Sequence, residues 1–383
     1  MNAILDAKVR FLSGTDAYPG YSGGVELRET HMSWVFLTDD RVYKFKKPVK
    51  FAYLDFSTLA RREAACRAEL RVNRRLAADI YLGVVPLTRS GGGYAIDGDG
   101  DIVEWLIVMR RLGAHRMLDQ VIAENRLMPA DVSRLVDKLV SFYRHAKPVF
   151  LSPEAYRARW RSAIAYNYAL LRDRQFALPQ GIVARLYHIQ RRFIGARGHL
   201  FDRRVRGRHI VDGHGDLRPE HIWLGEPLRI IDSLEFDPRL RHVDPFDEVA
   251  YLSLECERVG AAWAGERIRD GLIRALRNGP SAQLFAFYRC YRATLRARLA
   301  IAHLAAPDVR TPEKWRPLAQ DYLKLALAEA RRLERFLRTP ADRRSAVPHA
   351  ADRSPLPATA HRAGYRASRE RARRSGGKAV PHR

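Results

Sequence analysis

The chain has 383 residues, with 68 Lys and Arg against 43 Asp and Glu, for a formal net charge of +25. That length exceeds a typical single domain and can bury a substantial core, so two lobes with extensions are expected. No apolar run approaches the roughly 18 residues of a membrane span and the N-terminal stretch lacks the long apolar core of a signal peptide, so a soluble, cytoplasmic protein is expected.

The three cysteines, Cys66, Cys256 and Cys290, are far apart and show no CxxC or His-rich spacing. They are expected as buried thiols in a reducing compartment. The basic excess has two readings, a solvated Arg-biased surface or nonspecific attraction to polyanions such as nucleic acid.

Residues 1–23 are mixed and end in the turn-rich DAYPGYSGG. From Val25 the pattern turns strand-like, with VELRET, WVFL and RVYKFK separated by short polar turns, so three antiparallel strands are expected. Val42, Lys44 and Lys46 share one strand face because side chains alternate with period two. A Lys on the face that Val42 buries needs an anionic partner, and a nucleotide phosphate plus a helix carboxylate would supply it. Lys44 is the residue expected there, whereas Lys46 and Lys47 are expected to run out to solvent before Pro48.

Ser57 is the expected N-cap of a helix over Thr58 to Ala77. Its inner face carries Leu59, Cys66, Leu70, Asn73 and Leu76, flanked by Glu63 and Glu69. Strands are expected at Val84 to Leu87 and Tyr94 to Ile96, then along DIVEWLIVMRR as far as Met109 and Arg111. From His115 to Gly198 the periodicity is helical, with Phe142, Tyr143, Trp160, Tyr166 and Tyr168 expected as core anchors.

The organising stretch follows, VDGHGDLRPEHIWLGEPLRIIDSLEFDPRLRHVDPFDEVA over Val211 to Ala250. Two short strands each carry a carboxylate to an end, Asp216 in a His-Gly-Asp turn and Asp232 after Leu228 to Ile231. That arrangement suits phosphoryl transfer, with Asp216 as base and Asp232 as metal ligand. Glu248 to Leu337 reads as helical. Arg289, Arg292 and Arg296 line the edge of one of its faces, either solvated or holding an anionic substrate. After Arg338 the chain is rich in Ala, Arg, Pro and Ser and is expected as a disordered basic tail.

His214-Gly215-Asp216-Leu217 followed by Ile231-Asp232 resembles the catalytic and metal-binding loops of aminoglycoside phosphotransferase-like kinases, relatives of the protein kinases. ETHMSWVFL, VYKFKKPVKFAYLDFST and NRRLAADIYLGVVPL also resemble a bacterial subgroup of that family. Some members are fused to a P-loop kinase domain, for which this chain has no GxxxxGK[ST] motif. The resemblance implies an α+β, bilobal protein-kinase-like fold, with a small antiparallel β lobe carrying one long helix and a larger, mainly helical lobe. The expected division is a nucleotide-binding lobe over 1–108, a catalytic and substrate lobe over 109–338 and the tail over 339–383.

It further implies ATP and Mg²⁺ as cofactors and a small-molecule hydroxyl as acceptor, in a monomer that touches nucleic acid only nonspecifically through its tail. Thr30 and Ser33, bounding the first hairpin loop, would cradle phosphate, and Lys44 held by Glu69 would contact the α- and β-phosphates. The backbone from Met109 to Arg111 would be the lobe connection that binds adenine. His214 would hold its loop in shape, and Glu248 takes the place of an Asp that braces that loop. At one position the chain departs from the pattern. Where the family has Asn as second metal ligand it has His221, leaving open water-mediated binding, binding of another metal, or none. The alternative reading is therefore a degenerate kinase fold that binds a nucleotide or a partner without catalysis.

Overall fold

The structure is a computed structural model that describes residues 3–51, 54–305 and 311–338. The expected tail over 339–383 lies outside the described residues. The small lobe comprises α1 (Ala3–Ser13), β1 (Glu26–Glu29), β2 (Ser33–Leu37), β3 (Arg41–Lys46), β4 (Lys50–Phe51) and β5 (Leu54–Asp55). It continues through α2 (Leu59–Ala77), β6 (Tyr81–Ser90), β7 (Gly93–Ile96) and β8 (Asp101–Arg110). The strands make one antiparallel sheet in the order β1-β2-β3-β8-β6-β7.

Strand alternation decides which way β3 presents its charges. Phe45 is fully buried in the cluster that Leu12 of α1 shares with Trp34, Phe36, Leu87 and Leu106. Lys44 and Lys46 therefore face the opposite side of the sheet, where α2 packs. There Cys66 and Ala77 meet Ile80, Tyr81 and Ile107. The N-cap of α2 is Thr58, whose hydroxyl accepts the Arg61 N–H at 3.3 Å. Ser57, the expected cap, instead donates its hydroxyl to Asp55 at 2.6 Å, because the preceding β5 carboxylate is within its reach.

The large lobe begins with α3 (Leu118–Ala123), α4 (Pro129–His145), α5 (Pro153–Leu171) and α6 (Gln180–Arg206). Two two-stranded ribbons follow within one stretch of chain. In the first, β9 (Val211–Asp212) pairs with β12 (His242–Val243); in the second, β10 (Ile222–Trp223) pairs with β11 (Arg229–Ile230). The lobe closes with α7 (Pro245–Arg258), α8 (Ala262–Leu276), α9 (Ala282–Leu304) and α10 (Pro312–Arg338). Tyr143 and Trp160 are buried in its core, whereas Tyr166 is 43% exposed and stacks under Arg298.

This is the bilobal α+β architecture expected from the sequence. The solvated-edge reading of α9 does not hold. Arg289 and Arg292 are each only 6% exposed and pair with Glu329 and Asp247, which lie on helices that the α9 pattern alone does not reveal. Among the described residues no helix is long and apolar enough to cross a membrane, and all three cysteines are free and buried.

Candidate active site

The His214 loop is held by hydrogen bonds that leave little freedom. Gly213 sits so close to Val243 and Glu248 that a Cβ there would meet both at 2.7 Å. Gly215 has φ +92°, a conformation that L side chains rarely adopt. The chain can then turn its N–H groups onto one acceptor. His214 and Gly215 both donate to the Glu248 carboxylate, the former at 2.9 Å, and the Tyr143 hydroxyl donates to the same group at 2.7 Å. Burial pushes the Glu248 carboxyl up, against those donors.

His214 is fully buried. Its Nδ1 lies 3.2 Å from the Asp216 N–H and its Nε2 2.9 Å from the Ile231 carbonyl. An amide only donates and a carbonyl only accepts, so the ring is neutral with its proton on Nε2. Burial accordingly lowers its pKa to about 3. One imidazole thus ties the Asp216 loop to the strand that delivers Asp232.

Asp216 is partly exposed. Its carboxylate lies 3.1 Å from Arg218 Nε and 3.2 Å from the Tyr251 hydroxyl. Burial raises its pKa, but the guanidinium groups of Arg218 and Arg296 outweigh that and hold it below the ordinary carboxylate range. Asp232 has φ +62° and a half-exposed side chain. That strained backbone is fixed from the small lobe. The Asp232 N–H donates to the Tyr81 hydroxyl at 3.1 Å, and the Ser233 N–H donates to Asn73 Oδ1 of α2 at 2.7 Å. Burial pushes the Asp232 carboxyl up, yet the Lys44 ammonium brings it well below its usual value.

Lys44 Nζ lies 2.9 Å from Glu69 Oε1 and 3.6 Å from Asp232 Oδ1. Lys46 also turns inward, contrary to the expected exit to solvent. It is 2% exposed and pairs with both Glu69 and Glu235, because β3 continues past Lys44 directly over α2. Lys47 does not run out to solvent either: its side chain is 15% exposed, pairs with Glu29 and lies over the Trp34 ring. Glu63 forms a surface pair with Arg67.

His221 lies between the two aspartates. Its Nδ1 is 2.9 Å from the Asp216 carbonyl, and its Nε2 is 3.4 Å from Asp232 Oδ2 and 3.1 Å from Arg218 Nη2. Lys44, Glu69, Asp216, His221 and Asp232 are therefore one continuous cluster, with His214 beneath it.

The other expected residues stand apart from that cluster. The Thr30 hydroxyl accepts the Ser33 N–H at 2.9 Å and Ser33 is 2% exposed, so the hairpin loop closes on its own polar groups. The loop residue His31 meets His303 of α9 edge-on, with ring centroids 5.4 Å apart. Met109 lies between β3 and β6 in the sheet and packs with Ile231 against one apolar cluster. The Arg111 N–H already donates to the Asp40 carbonyl at 2.8 Å, and its side chain bonds Thr38 and Glu26. It is thus committed to the strand turn.

Sequence reasoning passed over Arg218 and Tyr251, which both contact the Asp216 carboxylate. The position of Arg218, two residues after Asp216, was the available signal. Tyr251, on α7, carried none. Charge in the rest of the site is closely paired. Asp237, Asp244, Asp247, Glu255 and Glu257 meet Arg239, Arg204, Arg292, Arg296 and Arg289 respectively.

No family model matches the chain. It is similar to proteins described only as uncharacterised from Mycobacterium tuberculosis and Mycobacterium bovis, each 34% identical in an alignment of 285 positions that covers 72% of this chain and 54% of theirs. The chain spans about half the length of these curated relatives. Among solved structures it is similar to a choline/ethanolamine kinase family protein from Mesorhizobium loti, with 17% identity, a TM-score of 0.46 and coverage of 88% of this chain and 96% of that one. An aminoglycoside-3'-phosphotransferase of type VIII gives 17% identity and a TM-score of 0.43, covering 76% of this chain and 99% of that one. In its bilobal fold and in the chain order of Lys44, Glu69, Asp216 and Asp232, the protein is similar to the aminoglycoside phosphotransferase-like kinases that its motifs indicate.

Proposed function

We propose that the chain is a phosphotransferase that moves the γ-phosphate of ATP to a hydroxyl of a small molecule, assisted by a divalent cation, Mg²⁺ in the family pattern. The observation that carries this reading is the Lys44 ammonium lying between Glu69 and Asp232. A largely buried ammonium beside a half-exposed carboxylate, at the junction of two lobes, suits a polyphosphate with its counter-cation.

In this reading Glu69 fixes the Lys44 ammonium so that it meets the α- and β-phosphates without reorganisation. Asp232 presents a carboxylate oxygen to the cation, a donor type that suits a hard dication. When bound, that cation neutralises charge on the phosphates. Asp216 is held ionised by Arg218, so it acts chiefly by orienting the acceptor hydroxyl and taking its proton as the bond to phosphorus forms. Tyr251 and Arg218 fix the direction in which that carboxylate points. Glu248 and His214 position the loop through its backbone.

Asp247, Glu255 and Glu257 are paired with arginines and Glu235 with Lys46, so they offer no open acidic patch for a polycation. A neutral or anionic acceptor fits these surroundings better. The reading includes a monomer working in the cytoplasm. His221 in the second ligand position favours one alternative, a nucleotide-binding module without transfer.

The test uses γ-labelled ATP with pools of alcohols, sugars and amino alcohols, with Asp216→Asn as control. Label transfer by the wild type that the variant loses supports the reading. Transfer equal in both overturns the role of Asp216 as base, and tight ATP binding without transfer to any pool favours the alternative.

A further inference from the structure

The position that departs from the family pattern is also the best-defined donor in the cluster. His221 is 7% exposed, and its ring is anchored by Nδ1 at 2.9 Å from the Asp216 carbonyl. A carbonyl can only accept, so Nδ1 carries a proton, and a guanidinium can only donate, so Nε2, 3.1 Å from Arg218 Nη2, presents a lone pair. That lone pair lies 3.4 Å from Asp232 Oδ2, another acceptor. In the structure Lys44 Nζ, 3.6 Å from Asp232 Oδ1, and Arg218 Nη2, 3.1 Å from Nε2, supply positive charge on either side of this pair. The same guanidinium donates Nε to Asp216 Oδ2 at 3.1 Å.

Donor spacing fits a metal. Adjacent ligands of a dication with bonds of about 2.1 Å lie roughly 3.0–3.4 Å apart, from near-octahedral to tetrahedral angles. Both donors are also fixed beforehand. The His221 ring stacks over buried His214 with centroids 6.1 Å apart, and the Asp232 backbone is pinned by Tyr81 and Asn73. Among the described residues no three His, Cys, Asp or Glu side chains converge as a metal cage, so the protein supplies two ligands and phosphate oxygens and water must supply the rest. Such a cation binds with the nucleotide.

We propose that this position takes a first-row transition dication, with Mn²⁺ preferred to Mg²⁺, bound directly by His221 Nε2 and an Asp232 carboxylate oxygen. Mg²⁺ favours an all-oxygen shell and keeps its waters, whereas imidazole nitrogen is a good ligand for the borderline dications. The family's Asn would offer an oxygen, so the His shifts the selectivity of the site without removing the site. Cation entry requires Arg218 to release Nε2, and a phosphate oxygen arriving with the nucleotide gives its guanidinium a new partner. The inference rests on the nucleotide-binding reading above.

The experiment uses the full chain with the non-hydrolysable methylene analogue of ATP. Affinities for Mn²⁺ and Mg²⁺ are measured by calorimetry for the wild type and His221→Asn, and nitrogen hyperfine coupling to bound Mn²⁺ is recorded by electron paramagnetic resonance. The expected result is nitrogen coupling in the wild type that the variant loses, and a Mn²⁺-over-Mg²⁺ preference that falls by about tenfold or more in the variant. Nucleotide binding with an unchanged preference and no nitrogen coupling overturns the inference and leaves the phosphotransferase reading standing. No analogue binding with either cation overturns both. If His221→Asn does not fold, the wild-type coupling alone decides.

Discussion

Lys44 Nζ lies 2.9 Å from Glu69 Oε1 and 3.6 Å from Asp232 Oδ1, so one ammonium joins helix α2 of the small lobe to the loop after β11 of the large lobe. Glu69 is 1% exposed and also holds Lys46. Glu69→Ala leaves two buried ammonium groups short of their shared anion. It should lower stability by about 3–5 kcal/mol and abolish ATP binding. Denaturant unfolding with calorimetry checks this, and Lys44→Met should lose ATP affinity with a smaller loss of stability, because Lys46 keeps Glu69 paired.

Lys46 and Glu235 form a second tie between the lobes, away from the exposed edge of the site. Replacing either alone uncovers a buried charge, so Lys46→Met and Glu235→Leu should each destabilise by about 3 kcal/mol or more. The double replacement should cost less than the sum of the two by about 1–3 kcal/mol. A double-mutant cycle by chemical denaturation measures it. Strict additivity would mean that the pair is not coupled.

How far the sequence carried can be seen at these same residues. Strand alternation placed Lys44 and Lys46 on one face, and the turn chemistry around Gly215 with the run before Asp232 located both acidic loops, because those signals are local. The destination of Lys46 was not legible: its partner Glu235 is 189 residues away and belongs to the other lobe. Arg289 and Arg292 looked like an edge for the same reason, since a helical pattern shows which residues share a face and not what lies opposite. The hairpin loop at Thr30 to Ser33 read as a phosphate cradle by position, but its polar groups bond one another. Tyr251 reaches Asp216 only through tertiary packing.

His214 supplies a pH dependence of stability. Its folded pKa is lowered from 6.5 to about 3 by burial, so the unfolded chain binds a proton that the folded chain refuses. Its contribution is complete above the unfolded value and is lost progressively as pH falls through 6.5 toward 3. At pH 5 the loss should be about 2 kcal/mol. Unfolding free energies at pH 7 and pH 5 for the wild type and His214→Gln check it. The variant should have the shallower slope, and equal slopes would assign the dependence to other groups.

The paired acids predict the response to polycations. With Asp247 and Glu255 bound to Arg292 and Arg296, an aminoglycoside should give no thermal stabilisation of the nucleotide-loaded protein. A shift of several degrees at millimolar ligand would show that these ion pairs open to admit a cationic acceptor.

The central claim is that Lys44, Asp216, His221 and Asp232 form a cation-dependent nucleotide site. Its most direct test is calorimetric titration of ATP into the wild type and Asp232→Ala, each with Mg²⁺, with Mn²⁺ and with EDTA. The predicted result is binding that needs a divalent cation and disappears in Asp232→Ala. Binding that is indifferent both to EDTA and to the loss of Asp232, or no binding under any condition, would contradict it.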